Sequence, residues 1–531
     1  MGRMKKRPQR RRLDVQSVVV RKPKRKSWFY PLSSQQVKKT SEFSASRAGS
    51  HPGTECPRKL PAIGLALILA LPLTGQFPAQ EEIARAKQHE LVSKPGTFGK
   101  FAADFGMLAV PENRRQTGSR LIHLPVVRVR ATRPLATEPV FYLFGGPGAS
   151  NVNEHQLLDW FYEDFDAVYV GYRGVDGTVA LDCPELRGSL QTASPLSNEN
   201  LARMGAAMRG CFERLSREGV DLAAYTVLDV CDDIEAARKA LGYAKINLWA
   251  HSYGTTVAYV YALRYPHSVN RILLLGASSP ARVGVWNPGM VDKQLTYYAR
   301  LWKRNPIARA RTPDLLGTIR AVLKALPRDW QDARIDRDRV RIGFFHMLAN
   351  RDTAAQGFDA FVRAEKGDWS GLAAISNAVQ RTEPANAGDF ALKLATCTFD
   401  ARRNYASDMD PPGSILGSPV GKLNWGSFAN SSWPVEVVPE RWRQGTTPVQ
   451  ALLLHGTVDF SSPLEYTRKE LLPRFPNGRL VVLRELGHND IIVNQVEAFR
   501  RLMETFFARG EVDASLFHEA PMNFQVSKEL R

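Results

Sequence analysis

The chain has 531 residues, of which 44% are hydrophobic, and a formal net charge of +19 at neutral pH. This length is too great for one small core, and the hydrophobic content excludes a chain that is disordered throughout. The charge is concentrated at one end, because residues 1–60 hold 17 Lys and Arg against 3 Asp and Glu. Most of the positive charge therefore belongs to the N-terminal tail.

The basic tail, residues 1–60, has no sustained apolar period and no aromatic residues interleaved with its cations in the manner of a nucleic-acid module. We expect this tail to be disordered and solvated. Binding to nucleic acid is the less favoured interpretation, and no nucleic-acid partner is predicted.

Residues 61–80 resemble a secretory signal peptide. Two cations precede an apolar stretch at 62–73, and small and polar residues follow it. The stretch is shorter than the about 20 apolar residues that cross a bilayer, so no stable membrane insertion is expected. A cleaved signal predicts a periplasmic or extracellular protein, and an uncleaved anchor or a buried helix are the alternatives. Because the segment lies far from Met1, the true translation start is expected downstream.

Five cysteines occur, at positions 56, 183, 211, 231 and 397, and their spacing does not match that of zinc ligands. Cys183 and Cys211 flank a loop and a helix, and they are the pair that we expect to form a disulfide in an exported protein. The chain-entropy estimate for a loop of this size is about 3 to 4 kcal/mol. Free thiols are the alternative, and the pairing of Cys231 and Cys397 stays open. No metal and no cofactor are predicted.

Short apolar or β-branched runs alternate with helical patterns from about residue 95 to residue 280. The predicted strands are 120–132, 138–144, 165–174, 245–250 and 269–278, and the predicted helices are 198–219, 227–243 and 253–266. Such alternation predicts a mostly parallel sheet covered by helices on both faces.

This rhythm breaks after Pro280 and returns near residue 446. Residues 281–445 are largely helical and irregular in pattern, and we interpret them as a helical cap inserted into the α/β core. The core then resumes over 446–515 with strands at 448–456 and 478–487 and helices at 463–475 and 493–510. The expected domains are therefore a core in two parts, 95–280 and 446–515, with a cap between them.

Four polar or glycine-rich motifs each follow a predicted strand. They are "LFGGPGAS", with Gly145 and Gly146; "LWAHSYGTTVA", with Ser252; "HGTVDF", with Asp459; and "LGHND", with His488. Each alone has an ordinary interpretation as a turn, a cap or a surface residue. Together they place Ser, Asp and His in the chain order of α/β-hydrolases, at strand ends that meet at one edge of a parallel sheet.

The chemistry of serine hydrolysis needs these residue types. A hydroxyl is a weak nucleophile at neutral pH, so Ser252 requires a base, and His488 is the predicted base. Asp459 would fix the imidazole tautomer and stabilise the imidazolium. The backbone N–H of Tyr253, together with that of Gly145 or Gly146, is expected to form the oxyanion hole.

The motifs as a set resemble the tripeptidyl aminopeptidase and proline iminopeptidase branch of the α/β-hydrolases. The resemblance covers about residues 100–510 and is weaker over 281–445, and it also includes "YRGVDGTVALDCPEL". It implies an α/β-hydrolase fold, the triad Ser252, Asp459 and His488, and a peptide substrate with a free N-terminus. The chain departs from the family at Gly171, where an aspartate is usual, and it lacks a second cysteine near "SSWP".

The sequence therefore predicts a secreted serine hydrolase that releases short peptides or residues from free N-termini. A carboxylesterase of the same fold is the first alternative, and a catalytically silent binding protein is the second. In the family, acidic cap residues hold the substrate amine; the candidates here include Glu365, Asp368, Glu383 and Asp389, among others, and the choice between them stays open. The residue preference and the oligomeric state stay open.

Overall fold

The computed structural model of the protein describes residues 17–19, 77–152, 159–280, 286–383 and 386–526. Most of the basic tail and most of the signal-like segment lie outside these residues. Residues 17–19 are an exception, because they form a strand within the stretch that was expected to be disordered. Among the described helices, none is both long enough and apolar enough to cross a membrane.

Ten strands form one large sheet. They are β1 (Ser17–Val19), β2 (Leu91–Phe98), β3 (Phe101–Pro111), β4 (Leu121–Val129), β5 (Val140–Leu143), β6 (Ala167–Val170), β7 (Ile246–His251), β8 (Val269–Leu275), β11 (Gln450–Gly456) and β12 (Gly478–Leu483), while β9 (Asp329–Trp330) and β10 (Ala333–Arg334) make a separate hairpin. The order across the sheet is β1-β12-β11-β8-β7-β5-β6-β4-β3-β2. From β1 to β6 neighbouring strands are parallel, and from β6 to β2 they are antiparallel.

The antiparallel hairpin of β2 and β3 is absent from the sequence-based prediction. Phe98 pairs with Phe101, so the two strands are joined by a two-residue turn of Gly99 and Lys100. Gly99 has a φ of +59°, which glycine adopts readily in such turns. The local signal was therefore a lone glycine between two runs of partial alternation.

Helices cover both faces of the sheet, as the alternation predicted. The helices outside the segment between β8 and β11 are α1 (Gln80–Ala84), α2 (Asp159–Asp164), α3 (Asn198–Arg217), α4 (Val227–Ala240), α5 (Tyr253–Arg264), α16 (Leu464–Tyr466), α17 (Asp490–Asn494) and α18 (Val496–Arg509). Successive side chains of a strand point to opposite faces, and accordingly Phe141 and Leu248 pack with α4 and α5, whereas Tyr142 and Trp249 pack with α2 and α18. This arrangement confirms the predicted fold class.

The segment between β8 and β11, which we call the helical insertion, contains mostly helices. They are α6 (Pro288–Arg304), α7 (Pro306–Arg311), α8 (Leu315–Ala325), α9 (Arg337–Met347), α10 (Arg351–Ala364), α11 (Ser370–Gln380), α12 (Ala387–Thr398), α13 (Tyr405–Asp408), α14 (Pro419–Ser431) and α15 (Glu440–Gln444). Its helices form a third hydrophobic cluster that also includes α3, from the preceding part of the chain. A Cβ added at Gly205 of α3 would lie 2.5 Å from the Asn430 side chain, so α3 packs closely on α14.

A disulfide joins Cys183 to Cys211, with their Cα atoms 5.4 Å apart. It ties the loop after β6 to α3. In the described part of the chain the single geometric group of potential metal ligands is Cys183, Glu185 and Cys211, in which both sulfurs are already bonded to each other. Cys231 and Cys397 are buried free thiols, and burial raises the pKa of both.

Candidate active site

The four predicted motifs meet at the carboxyl edge of the parallel part of the sheet. The GGPG loop follows β5, Ser252 follows β7, Asp459 follows β11 and His488 follows β12. Parallel strands end at the same edge, so residues more than 300 positions apart in the chain come together there. Each of the four loops lies at this edge because it directly follows the carboxyl end of a parallel strand.

Ser252 has a strained backbone, as expected at a sharp turn from a strand to a helix. Its φ of +54° and ψ of −124° lie outside the regions that L-residues prefer, at a cost of about 1 to 3 kcal/mol. The Ser252 N–H donates to the Leu275 carbonyl at 3.0 Å, which anchors the turn on β8. The turn places the hydroxyl in a cavity above the sheet edge.

Two glycines allow the chain to approach this turn closely. A Cβ at Gly145 would lie 2.8 Å from Ser252 Cβ, and a Cβ at Gly254 would lie 2.0 Å from the Leu143 carbonyl oxygen. Real side chains do not tolerate such distances. The GGPG loop and the first turn of α5 can therefore pack together only because both positions lack a side chain.

His488 and Asp459 form a hydrogen-bonded pair beside Ser252. The Asp459 carboxylate oxygens lie 3.0 and 2.9 Å from His488 Nδ1, and one of them also accepts from the Ser462 N–H at 2.8 Å. Asp459 is 1% exposed and His488 is 7% exposed. Among the described residues, the Ser252 hydroxyl makes no hydrogen bond to the imidazole, although both line one cavity. Such contacts are often long before substrate binds.

The two nearby aspartates differ in their titration. Burial opposes ionisation of Asp459, but the interaction with His488 outweighs it and lowers the pKa of this carboxyl. For Asp490 burial dominates and raises the pKa, while its carboxylate accepts from the N–H groups of Gly487 and Arg351. Asp459 therefore contacts the imidazole as a carboxylate, and Asp490 braces the loop that carries His488.

Backbone donors lie next to the serine. Tyr253 is the first residue of α5, and the first N–H groups of a helix have no partner within the helix. Gly146 has a φ of +106° and follows Gly145, whose Cα lies against Ser252. These amides and the positive end of the α5 dipole are suited to an oxyanion.

The cavity at Ser252 has a volume of about 250 Å³ and two kinds of wall. One wall is hydroxyl-rich and includes Ser278 and Ser462, whose oxygens lie 3.0 Å apart. The other wall is apolar and includes Trp286, which also donates from Nε1 to the Ser461 carbonyl. The remaining lining residues are Gly146, Pro147, Tyr253, Thr256, Ser279, Pro280, Phe390, Leu394, Cys397, Thr398, Trp425 and His488.

Asp, Glu, Lys and Arg are absent from the described lining of this cavity. The four cap carboxylates that were candidates for holding a substrate amine are engaged elsewhere. Glu365 accepts from the Thr318 hydroxyl, Asp368 pairs with Arg363, and Glu383 accepts from Gly188 N–H and from the Gln191 amide; Asp389 pairs with Lys393. None of the four lines the described part of the cavity at Ser252, so which carboxylate would meet a substrate amine stays a prediction.

Helix α12 instead contacts the loops around the site, which the sequence analysis did not anticipate. The Asn386 amide donates to the Gly148 carbonyl at 2.8 Å, and Lys393 Nζ donates to the Arg173 carbonyl at 2.9 Å. Lys393 and Asp389 are fully buried and their charged atoms lie 2.6 Å apart, although off the direction of a good hydrogen bond. The sequence signal for this pair was the spacing of four residues, which places Asp389 and Lys393 on the same face of a helix.

The sheet order, the strained serine after a central strand and the histidine–carboxylate pair define an α/β-hydrolase. Comparisons with known proteins agree. The α/β hydrolase fold family matches residues 139–339, and the TAP-like protein family matches residues 422–517. The two family matches and the relatives below support the tripeptidyl aminopeptidase and proline iminopeptidase branch of the α/β-hydrolase superfamily.

Three relatives show the degree of sequence similarity to this chain. The tripeptidyl aminopeptidase of Streptomyces lividans is 25% identical over 77% of this chain and 82% of its own length. A Mycoplasma pneumoniae protein named as a candidate proline iminopeptidase is 25% identical over 56% of this chain and 79% of its own length. The serine protease Hip1 of Mycobacterium tuberculosis is 28% identical over 33% of this chain and 36% of its own length. These similarities support a serine hydrolase of peptidase type.

Proposed function

We propose that the protein is a serine peptidase in which Ser252 is the nucleophile, His488 the general base and Asp459 the orienting acid. The observation that carries this proposal is that His488, hydrogen-bonded to Asp459, lines the same cavity as a serine at φ +54°. In the first step His488 Nε2 takes the hydroxyl proton as Ser252 Oγ attacks the substrate carbonyl carbon. Asp459 stabilises the imidazolium that forms.

The negative charge that develops on the carbonyl oxygen would be met by backbone amides. Tyr253 N–H and the N–H of Gly145 or Gly146 are the proposed donors. When the tetrahedral intermediate collapses, the bond to the leaving amine breaks and His488 returns the proton to that amine. Water then attacks the acyl-enzyme with His488 as base, and Ser252 is released with its proton.

We propose that the substrate is a peptide with a free N-terminus. The support is the similarity to tripeptidyl aminopeptidases along 77% of the chain. A protonated α-amine that enters a protein site needs a carboxylate or several oxygen acceptors to replace its water. Hydroxyl side chains that line the described part of the cavity, among them those of Ser278 and Ser462, are candidate acceptors.

The test compares a short peptide anilide with its N-acetylated twin. A hydrogen bond to a charged group contributes about 1.5 to 3 kcal/mol, so kcat/KM should fall at least about tenfold on acetylation. The Ser252→Ala protein, assayed in parallel, removes any contaminating peptidase from the comparison. Equal rates on the two anilides would mean that the site does not recognise an amine.

A carboxylesterase is the second candidate, and one observation favours it. The described cavity lining contains no Asp or Glu, which suits a neutral ester better than a cationic amine. In that case short acyl esters should be hydrolysed through the same serine, whereas both anilides should be poor substrates.

We also propose that the protein is exported. The Cys183–Cys211 disulfide supports this location, because disulfides persist outside a reducing cytoplasm. The signal-like order of residues 61–80 gives separate support. Cell fractionation tests export, and recovery of the protein only from the cytoplasm would contradict it. N-terminal sequencing of the exported protein then distinguishes a cleaved signal, with an N-terminus near residue 80, from an uncleaved anchor that retains residues 61–80.

A further inference from the structure

A second cavity adjoins the one at Ser252. Its volume is about 340 Å³, and it shares the side chains of Trp286, Phe390, Leu394 and Trp425 with the first cavity. We call this second cavity the apolar chamber. Because the same four side chains border both spaces, the two cavities are neighbours, and only these side chains need to move aside for a group held at Ser252 to reach the chamber.

The walls of the apolar chamber are almost entirely hydrophobic. Helices α3, α9, α11, α12 and α14 contribute to it, so it lies within the helical insertion and its partner α3. Most of its lining side chains are aliphatic, aromatic or methionine, and the polar ones are three hydroxyls, the Asn424 amide and the His346 imidazole. Two methionines in this set can repack around ligands of different shape.

No Asp, Glu, Lys or Arg belongs to the described lining of the chamber. His346 is its one titratable side chain. The imidazole is accessible from the chamber, yet enclosure by the surrounding protein lowers the pKa of His346 and favours its neutral form. An occupant with a net charge would lose its hydration there and gain no counter-charge.

We propose that the apolar chamber is a substrate subsite that receives a large, uncharged, apolar group attached to the acyl or leaving part cleaved at Ser252. This inference rests on the proposed serine hydrolase and adds its substrate class. The group is either a bulky hydrophobic side chain of a peptide or the alkyl chain of an ester. Both present the same hydrocarbon surface to the walls.

The size of the effect follows from hydrocarbon burial. Each buried methylene contributes about 0.8 kcal/mol, which corresponds to a roughly fourfold gain in kcat/KM if it is fully expressed in the transition state. Substrates that differ only in the length of an apolar group should therefore show a steep rise until the chamber is filled. If the group stayed in solvent instead of entering the chamber, kcat/KM would not change along the series.

The experiment uses two matched substrate series on the full chain. One is a set of p-nitrophenyl esters from acetate through butyrate to octanoate; the other is a set of peptide anilides whose residues change from Ala through Leu to Phe. The ratio of kcat/KM for the largest member to that for the smallest member is the readout. A rise in the ester arm identifies an alkyl chain, and a rise in the peptide arm identifies a side chain.

Two variants localise the effect to the chamber. Asn424→Asp is isosteric and puts a charge on the chamber wall, and Ala391→Phe fills part of its volume. Asn377→Asp on α11 is the matched control, because Asn377 is also half-buried but lines neither cavity. We expect the ratio to fall at least about tenfold in Asn424→Asp, to shift toward shorter groups in Ala391→Phe and to stay unchanged in Asn377→Asp.

A flat wild-type series in both arms would overturn the subsite, whether or not the variants fold. So would equal ratios in Asn424→Asp and Asn377→Asp. Failure of the proposed function looks different, because the hydrolysis would then persist in Ser252→Ala. Labelling of each variant by a small fluorophosphonate separates a folded enzyme with a changed chamber from a misfolded one.

Discussion

The carboxyl edge of the sheet and the helical insertion contribute different kinds of side chain to one cavity. The sheet edge supplies Ser252 and His488 on short loops after buried strands, and Asp459 lies behind the imidazole of His488. The insertion supplies hydrocarbon walls such as Trp286, Phe390 and Trp425. The reacting groups therefore lie on the sheet edge and much of the apolar lining on the insertion, so we expect that substitutions can alter the two separately.

The largest effect is expected at the sheet edge. Ser252→Ala should lower turnover by about 10⁴ to 10⁶-fold, because the groups of a triad act as a unit. Thermal unfolding should be unchanged or slightly improved, since alanine at φ +54° keeps the strain but loses no buried contact. Steady-state kinetics on the purified variant test this, and retention of more than a few per cent of activity would remove the serine from its proposed role.

Asp459→Asn should have the next largest effect. The amide cannot stabilise the imidazolium and favours the wrong tautomer of His488, so we expect a loss of about 10⁴-fold in kcat. Asp490→Asn is the matched control, because Asp490 is a buried aspartate only two residues from His488 whose carboxylate accepts from the backbone N–H groups of Gly487 and Arg351. Its loss should stay below about tenfold. The reverse order would mean that the loop after β12 supplies the acid.

Removal of the Cys183–Cys211 disulfide tests how much this bond stabilises α3, the helix that packs against the helical insertion. The double variant Cys183→Ala with Cys211→Ala should lower the free energy of unfolding by up to about 3 to 4 kcal/mol, because the unfolded chain regains loop entropy. Denaturant titration measures this change. Mass mapping without reduction should first show the two cysteines joined; alkylation of both would contradict the bridge. Under conditions in which the variant stays folded, its kcat should remain close to that of the unmodified protein.

The smallest effect is expected where the two regions touch. Asn386→Asp keeps the shape of the side chain and tolerates its left-handed backbone, but it removes the amide donor to Gly148. One hydrogen bond contributes about 0.5 to 1.5 kcal/mol, so kcat should fall roughly twofold to tenfold with KM less changed. Asn377→Asp controls for the added charge. An unchanged kcat would mean that the GGPG loop holds its position without the insertion.

Local sequence signals predicted much of the sheet and the four loops at its edge. The strands at 245–250 and 448–456 are short apolar runs next to glycine or polar residues. Such a run is the expected pattern of a strand that is buried on both faces of a parallel sheet. The hairpin of β2 and β3 escaped notice because its strands are only partly alternating. The strain at Ser252 has a weak local signature, the small residues Ala250 and Gly254 on either side of the serine, and it follows from the sharp turn between β7 and α5.

The packing of the helical insertion was harder to predict, because it depends on how the side-chain surfaces of separate helices fit together. Sequence indicated many helices there, but not that α3 would join them, since the partners in a helix interface are far apart in the chain. For the same reason the acidic residues of the cap could be named but not placed. Asp389 looked like a ligand for an amine, whereas the structure pairs it with Lys393 below the GGPG loop.

The sequence by itself determined the order of strands and helices, the residue types at each strand end and hence the class of chemistry expected. Those features are local, because the period of apolar residues and the position of glycine act within a few residues. Only the tertiary structure decided that no described carboxylate lines the cavity and that an apolar chamber adjoins it. A cavity is the space left by side chains from separate helices, and its volume and charge depend on how all of them pack.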